Sequence, residues 1–124
     1  MDDRRHSVFV VDDDARTTRL LAKLLTEDGF SVETATDGAA AIARLSREPP
    51  PDVLITDLRM PFADGLSVAR YARAQKADMP IFIVTGYPEL VARIDKLLVG
   101  VAQVFPKPLA YPELTTAMRN AFPR

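Results

Sequence analysis

The sequence predicts a single α/β domain in which a five-stranded parallel sheet is covered by helices on both faces. Short runs rich in β-branched residues alternate with longer segments of helical periodicity, and five such repeats can be counted. A length of 124 residues suits one hydrophobic core. We therefore expect one domain that spans residues 1–124, with residues 1–6 as a flexible, charged tail.

The first repeat begins with a strand at residues 7–11. The helix that follows should end near Gly29, and Asp14 is placed to cap its N-terminus. Its apolar stripe, which should face the core, consists of four leucines: Leu20, Leu21, Leu24 and Leu25.

The second and third repeats have equally clear boundaries. A weaker strand at residues 30–35 leads into a helix that the prolines at 49–51 stop. The third strand covers residues 53–56, and a helix from about 66 to 75 follows it, with Asp64 as its candidate cap.

The last two repeats begin with a strand at residues 81–84. The fourth helix should start at Pro88 and end before Gly100, because proline is favoured in a first helical turn and glycine just past a helix end. A strand at about 102–105 precedes the final helix, which Pro112 opens. The inward face of that helix should consist of Leu114, Ala117, Met118 and Ala121.

Composition and charge exclude several classes of function. A formal net charge of −1 gives no global attraction to nucleic acid or to an anionic membrane. The absence of cysteine excludes disulfides and thiolate chemistry. The start of the sequence lacks the apolar segment of a signal peptide, and no later run is long enough to span a bilayer. We therefore expect a cytoplasmic protein that binds neither DNA nor membrane directly.

Polar side chains follow four of the five predicted strands. Parallel strands end at one edge of a sheet, and ligands bind there. In chain order these residues are Asp12, Asp13, Asp57, Thr85 and Lys107. Singly, each has an ordinary explanation, such as a helix cap or β-propensity, but the combination indicates a site.

The chemistry of this set favours phosphoryl transfer. Clustered carboxylates repel one another unless they hold a cation, and hard oxygen ligands suit Mg²⁺. Asp57 is placed to attack a phosphoryl group, since a bound metal ion would shield its charge. Lys107 would bind one phosphoryl oxygen and the Thr85 hydroxyl another. Asp14 is better explained as a helix cap.

Four blocks of the sequence resemble the receiver domain of bacterial two-component response regulators, which has a chemotaxis-regulator-like fold. The resemblance runs from about Ser7 to Phe122 and implies the strand order 2-1-3-4-5. The blocks cover residues 10–14, 52–61 with Gly65, 84–87 and 105–108.

The resemblance implies a role for each matching residue. Asp57 is the phosphoacceptor, Asp13 a direct Mg²⁺ ligand and Asp12 a ligand acting mostly through water. The backbone carbonyl of Arg59 completes the protein ligands, and the Lys107–Pro108 bond is cis. The resemblance also implies a phosphoacceptor switch rather than an enzyme. The partners that the resemblance implies are a sensor histidine kinase or histidine phosphotransfer protein, and a downstream protein target or fused output domain.

One departure from the family's pattern leaves alternatives open. Val104 occupies the position at which the family usually has an aromatic residue that turns inward on phosphorylation. A binding module that works without phosphorylation is therefore a second reading.

An aspartate-dependent phosphatase, with Asp12 as nucleophile and Asp14 two residues later, is a third reading, but it leaves Asp57 unexplained. The sequence lacks the phosphate-binding loop that a flavin site would need.

Overall fold

The computed structural model describes residues 5–58, 64–86 and 103–122. Five strands and four helices lie within these ranges. In chain order they are β1 (Ser7–Val11), α1 (Ala15–Glu27), β2 (Ser31–Ala35), α2 (Gly38–Leu45), β3 (Val53–Thr56), α3 (Gly65–Gln75), β4 (Ile81–Thr85), β5 (Gln103–Pro106) and α4 (Tyr111–Ala121). The helix predicted between Pro88 and Gly100 lies outside the described residues.

The five strands form one parallel sheet in the order β2-β1-β3-β4-β5. Each adjacent pair is parallel, so all five strands end at the same edge. At that edge Val11 lies beside Thr56, and Thr85 lies beside Pro106. The predicted fold class and strand order are confirmed.

Helices pack on both faces of the sheet and divide the core in two. On one face, alternate strand residues pack against leucines of α1 and the apolar side of α4. On the other, the remaining strand residues pack against α2 and α3. The α4 residues predicted to face inward all pack in the first layer: Leu114 and Met118 are buried, and Ala117 and Ala121 are partly buried.

Helix starts follow the predicted caps. The side chain of Asp14 accepts a hydrogen bond from the Arg16 N–H at the start of α1, and Asp64 accepts one from the Ser67 N–H at the start of α3. These bonds satisfy amide groups that have no partner within the helix. Past the end of α1, Gly29 adopts φ 96°, a conformation that glycine takes without steric cost.

The prediction for the α1 stripe is wrong at Leu20. Leu21 and Leu25 are buried against the sheet, whereas Leu20 is 58% exposed. The reason is geometric: residues four apart share a helix face, and a neighbouring residue is rotated about 100° away from it. Leu20 therefore lies on the flank of α1, beside the cavity described below.

Asp52 makes contacts at the other end of the sheet, where the strands begin. Its carboxylate accepts a hydrogen bond from the Ser7 N–H at 2.8 Å and lies 3.6 Å from Lys76 Nζ. His6, the last residue of the predicted flexible tail, is half exposed, and its ring stacks on Phe122 with centroids 3.8 Å apart. The residue after α4 thus packs directly beside the start of β1.

The N-terminus of α3 approaches β3 so closely that only glycine fits there. The Gly65 N–H donates to the Leu58 carbonyl at 2.8 Å. A Cβ atom at Gly65 would overlap the Asp57 carbonyl oxygen and lie 2.9 Å from the Leu58 Cα. The missing side chain therefore lets α3 begin directly against the backbone of Asp57.

We expect Gly65→Ala to lower the free energy of unfolding by roughly 1–3 kcal/mol, because the added methyl group must displace backbone atoms. Gly86→Ala is the matched control: a Cβ atom there meets nothing within 4 Å, so a change within about 0.5 kcal/mol is expected. Urea unfolding of both variants measures the difference. Equal stability of the two would contradict the close packing of α3 on β3.

Candidate functional site

The polar residues predicted at the strand ends do meet in space. Asp12 follows β1, Asp57 follows the neighbouring strand β3, and Lys107 follows β5. All three side chains therefore lie at the same edge of the sheet. Asp12 and Asp57 are 4% and 7% exposed, which is unusual for carboxylates and requires that they be paired.

Lys107 pairs with both buried carboxylates. Its Nζ lies 2.9 Å from Asp12 Oδ2 and 3.0 Å from Asp57 Oδ2. Burial alone would lower the pKa of Lys107, but the hydrogen bonds and charges of the two aspartates outweigh it and raise the pKa above its usual value. The side chain therefore stays cationic at neutral pH. The Lys107–Pro108 peptide bond is cis, as the resemblance implied.

The other oxygen of each buried carboxylate is held by a backbone amide. The Asp14 N–H donates to Asp12 Oδ1 at 2.9 Å, and the Leu58 N–H donates to Asp57 Oδ1 at 2.7 Å. Both carboxylates are thus fixed at both oxygens. Within the described residues no buried side-chain nitrogen or oxygen lacks a hydrogen-bond partner.

Asp13 completes a cluster that is suited to a divalent cation. One carboxylate oxygen from each of Asp12, Asp13 and Asp57 lies within 4.8 Å of the others. Desolvation, a hydrogen bond to Asp12 and the negative charges of Asp12 and Asp57 raise the pKa of Asp13. Three carboxylates face one ammonium group, so the ionised cluster carries excess negative charge. Hard oxygen donors with this charge fit Mg²⁺.

The remaining predicted site residues have different positions. Thr85 is fully buried at the end of β4, and its carbonyl accepts the Lys107 N–H at 2.9 Å. Arg59, whose backbone carbonyl was predicted to be a ligand, lies outside the described residues. Asp14 is exposed, and its carboxylate caps α1 rather than joining the cluster.

A mainly apolar cavity of about 330 Å³ opens beside the buried carboxylates. Asp12, Asp57 and Lys107 form its polar end. The apolar walls are built by the flank of α1, the sheet and the segment after β5, and include Leu20, Leu24, Val84, Leu109 and Tyr111. A group bound in this cavity would therefore lie next to Asp57.

Sequence reasoning missed two contributors to the site. Thr56 is fully buried and its hydroxyl donates to the Asp57 carbonyl at 2.9 Å. The Leu58 amide binds the Asp57 carboxylate. A threonine in a strand is explained by β-propensity alone, and a backbone amide leaves no trace in the sequence. No sequence signal distinguishes either contact.

Among the described residues, no helix is both long and apolar enough to cross a membrane.

The sequence is similar to one family of known proteins. The family model described as "Response regulator receiver domain" matches residues 8–119. The response regulator MprA of Mycobacterium avium (strain 104) is 38% identical over 112 residues, which are 90% of this chain and 49% of that protein. The chain therefore spans about half the length of the curated relatives that it matches.

Solved structures agree with this likeness. A receiver domain protein from Clostridium thermocellum superposes with a TM-score of 0.84 at 27% identity, covering 94% of this chain and 93% of the other. The response regulator TrrA from Thermotoga maritima, in complex with Mg²⁺ and BeF, gives a TM-score of 0.82 at 27% identity, covering 94% and 99%.

We expect Asp13→Asn to stabilise the metal-free protein at neutral pH. Because folding raises the pKa of Asp13, its ionised form is less favourable in the folded than in the unfolded state. The gain should be a few tenths of a kcal/mol, since solvent screens an exposed carboxylate. The gain should decline as the pH falls through the raised pKa and be absent below the ordinary pKa of aspartate. Urea unfolding across this pH range, without divalent cations, measures it.

Asp14→Asn is the matched control, because it removes the same charge one residue away and asparagine also caps helices. The hydrogen bond from the Arg16 N–H lowers the pKa of Asp14, so its ionised form favours folding and no gain is expected. An equal gain in both variants would show that the effect comes from net charge and not from the cluster.

Proposed function

The chain belongs to the response regulator receiver domain family of two-component systems, and from this premise we propose that Asp57 accepts a phosphoryl group and so switches a protein-interaction surface. One observation carries the proposal: Lys107 Nζ contacts both Asp12 and Asp57. Lys107 lies 95 residues after Asp12 and 50 residues after Asp57 in the sequence, so folding brings three distant segments together. Such a charged, buried arrangement needs a reason beyond stability.

In the proposed reaction a carboxylate oxygen of Asp57 attacks the phosphorus atom of the donor. An O–P bond forms, the bond from phosphorus to the donor atom breaks, and the leaving group departs with the bonding electrons. The Leu58 amide orients the carboxylate. Lys107, which is held cationic, pairs with the phosphoryl oxygens, and the Thr85 hydroxyl donates a hydrogen bond to another of them.

Asp12, Asp13 and Asp57 would hold Mg²⁺, with the backbone carbonyl of Arg59 as a further ligand. The ion, when bound, shields the negative charges of the carboxylate and the phosphoryl group from each other. The oxygen donors within 4.8 Å of one another support this assignment. So does the complex of the similar TrrA protein with Mg²⁺ and BeF.

Receiver domains are generally switches and not enzymes. We propose that this one catalyses only its own phosphorylation and dephosphorylation, and that residues 1–124 form one cytoplasmic receiver domain. Its phosphate would come from a sensor histidine kinase or a histidine phosphotransfer protein. Its output would be a downstream protein or a fused domain. The second possibility is consistent with relatives about twice as long as this chain.

The cavity beside Asp57 suits contact with such a donor. Leu20, which is 58% exposed, lines the cavity together with Leu24 and Leu109. A protein that delivers a phosphoryl group to Asp57 from this side would cover these apolar side chains.

The output would involve Val104, which packs with Leu66 against the buried pair Leu58 and Ile83. Valine has no ring that could turn inward, so any signal through this cluster would be a small packing shift. This supports keeping the phosphorylation-independent binding module as the second reading. The phosphatase reading is weakened by the position of Asp14, whose carboxylate caps α1 and does not join the cluster.

Incubation with a small acyl phosphate and Mg²⁺ should add the mass of one phosphoryl group to the wild-type protein. Intact-mass measurement checks this. The adduct should be absent without Mg²⁺ and absent in Asp57→Asn, which cannot supply the carboxylate nucleophile. A folded wild-type protein that takes no adduct under any condition would favour the binding module. Phosphomonoester turnover that is lost in Asp12→Ala but kept in Asp57→Ala would favour the phosphatase.

Mg²⁺ should raise the stability of the wild-type protein, because an ion that binds only the folded state shifts the unfolding equilibrium. At about 100 times its dissociation constant the ion adds about 2.7 kcal/mol. We expect Asp13→Asn to lose most of this gain and Asp14→Asn to keep it, as measured by thermal unfolding with and without Mg²⁺. The same gain in both variants would exclude Asp13 as a ligand.

A further inference from the structure

A single peptide group beside Asp57 is hydrogen-bonded at both of its ends. At one end, the Asp57 carbonyl accepts a hydrogen bond from Thr56 Oγ1 at 2.9 Å. At the other end, the Leu58 N–H donates to Asp57 Oδ1 at 2.7 Å. The peptide unit is planar, so its C=O and N–H directions are fixed relative to each other. The Thr56 hydroxyl and the Asp57 carboxylate are therefore linked through one rigid group.

The surroundings leave this peptide group little freedom. Thr56 is fully buried in the last position of β3. The Asp57 N–H is held by the Val11 carbonyl at 2.9 Å. Gly65 lies so close that a Cβ atom there would overlap the Asp57 carbonyl oxygen. In the part of the chain that the structure describes, the hydroxyl of Thr56 donates a hydrogen bond to this carbonyl oxygen.

We propose that Thr56 is a positioning residue for the phosphoacceptor, a role that rests on the function proposed for Asp57. By holding the carbonyl end of the peptide, the Thr56 hydroxyl aims the Leu58 amide at Asp57 Oδ1. Lys107 holds Oδ2 at 3.0 Å. The two oxygens thus have separate partners, and the plane of the carboxylate is fixed. A hydrogen bond to the carbonyl also polarises the peptide, which strengthens its N–H as a donor.

The role requires a hydroxyl group and not merely a side chain of this size. Thr56→Val keeps the shape and removes the donor, whereas Thr56→Ser keeps the donor and removes a methyl group. We expect Thr56→Val to slow phosphorylation about threefold to tenfold, the factor for losing roughly one neutral hydrogen bond. Thr56→Ser should restore most of the rate.

Thr115→Val is the matched control. Thr115 is also buried, and its hydroxyl donates to a backbone carbonyl, that of Pro112, at 3.1 Å. Its loss removes the same kind of bond from α4 without touching the Asp57–Leu58 peptide. Phosphorylation should therefore stay at the wild-type rate in Thr115→Val, even if the protein becomes less stable.

The experiment is a time course of intact mass with a small acyl phosphate and Mg²⁺ for the wild type and these three variants. In parallel, NMR of the metal-free proteins follows the Leu58 amide proton, which should move upfield in Thr56→Val and stay in place in Thr56→Ser. Thr56→Ala provides the same test if the valine variant does not fold.

The outcomes separate the two proposals. A wild-type protein that takes no phosphoryl group overturns the function proposed for Asp57. A wild-type adduct that forms at the same rate in Thr56→Val overturns only the role of Thr56. Equal slowing in Thr56→Val and Thr115→Val would assign the effect to stability and also overturn it. Slowing confined to Thr56→Val, with an upfield Leu58 amide and rescue by serine, supports it.

Discussion

The contact of Lys107 with Asp12 and Asp57 is the interaction on which the site depends. Two carboxylates that are 4% and 7% exposed would be strongly destabilising without a cation between them. Lys107 supplies it at 2.9 and 3.0 Å. The ammonium group bonds one oxygen of each carboxylate and a backbone amide bonds the other, so each oxygen of the two buried carboxylates has a hydrogen-bond partner. These two carboxylates are therefore held in place before any ligand arrives.

The parallel sheet makes this contact possible. Strands β1 and β3 are neighbours, so their ends place Asp12 and Asp57 side by side. Lys107 follows β5, two positions further along the sheet from β3, and its long side chain must reach back across the end of β4. Its N–H is held by the Thr85 carbonyl at 2.9 Å. The order of the strands thus determines which residue types are needed: short acids near the centre and a long base at the edge.

Much of this was predictable from the sequence, and the failures have physical causes. Caps such as Asp14 and Asp64 depend on a local pattern and were predicted correctly. Leu20 was misplaced because helical periodicity gives the width of an apolar stripe only approximately. Thr56 was missed because its partner is a backbone carbonyl. A side-chain bond to the main chain depends on conformation and not on any second residue in the sequence.

The same contacts limit how a phosphoryl group could be sensed. If Lys107 exchanges Asp57 for a phosphoryl oxygen, its backbone stays tied to the Thr85 carbonyl, so any movement reaches the end of β4 directly. Two residues back along β4, on the same sheet face as Thr85, lies Ile83, which packs in the cluster with Val104. Interiors this closely packed transmit displacement over short distances. Since valine offers no large rotamer change, a displacement that passes through these described residues would be a small packing shift along β4 and β5.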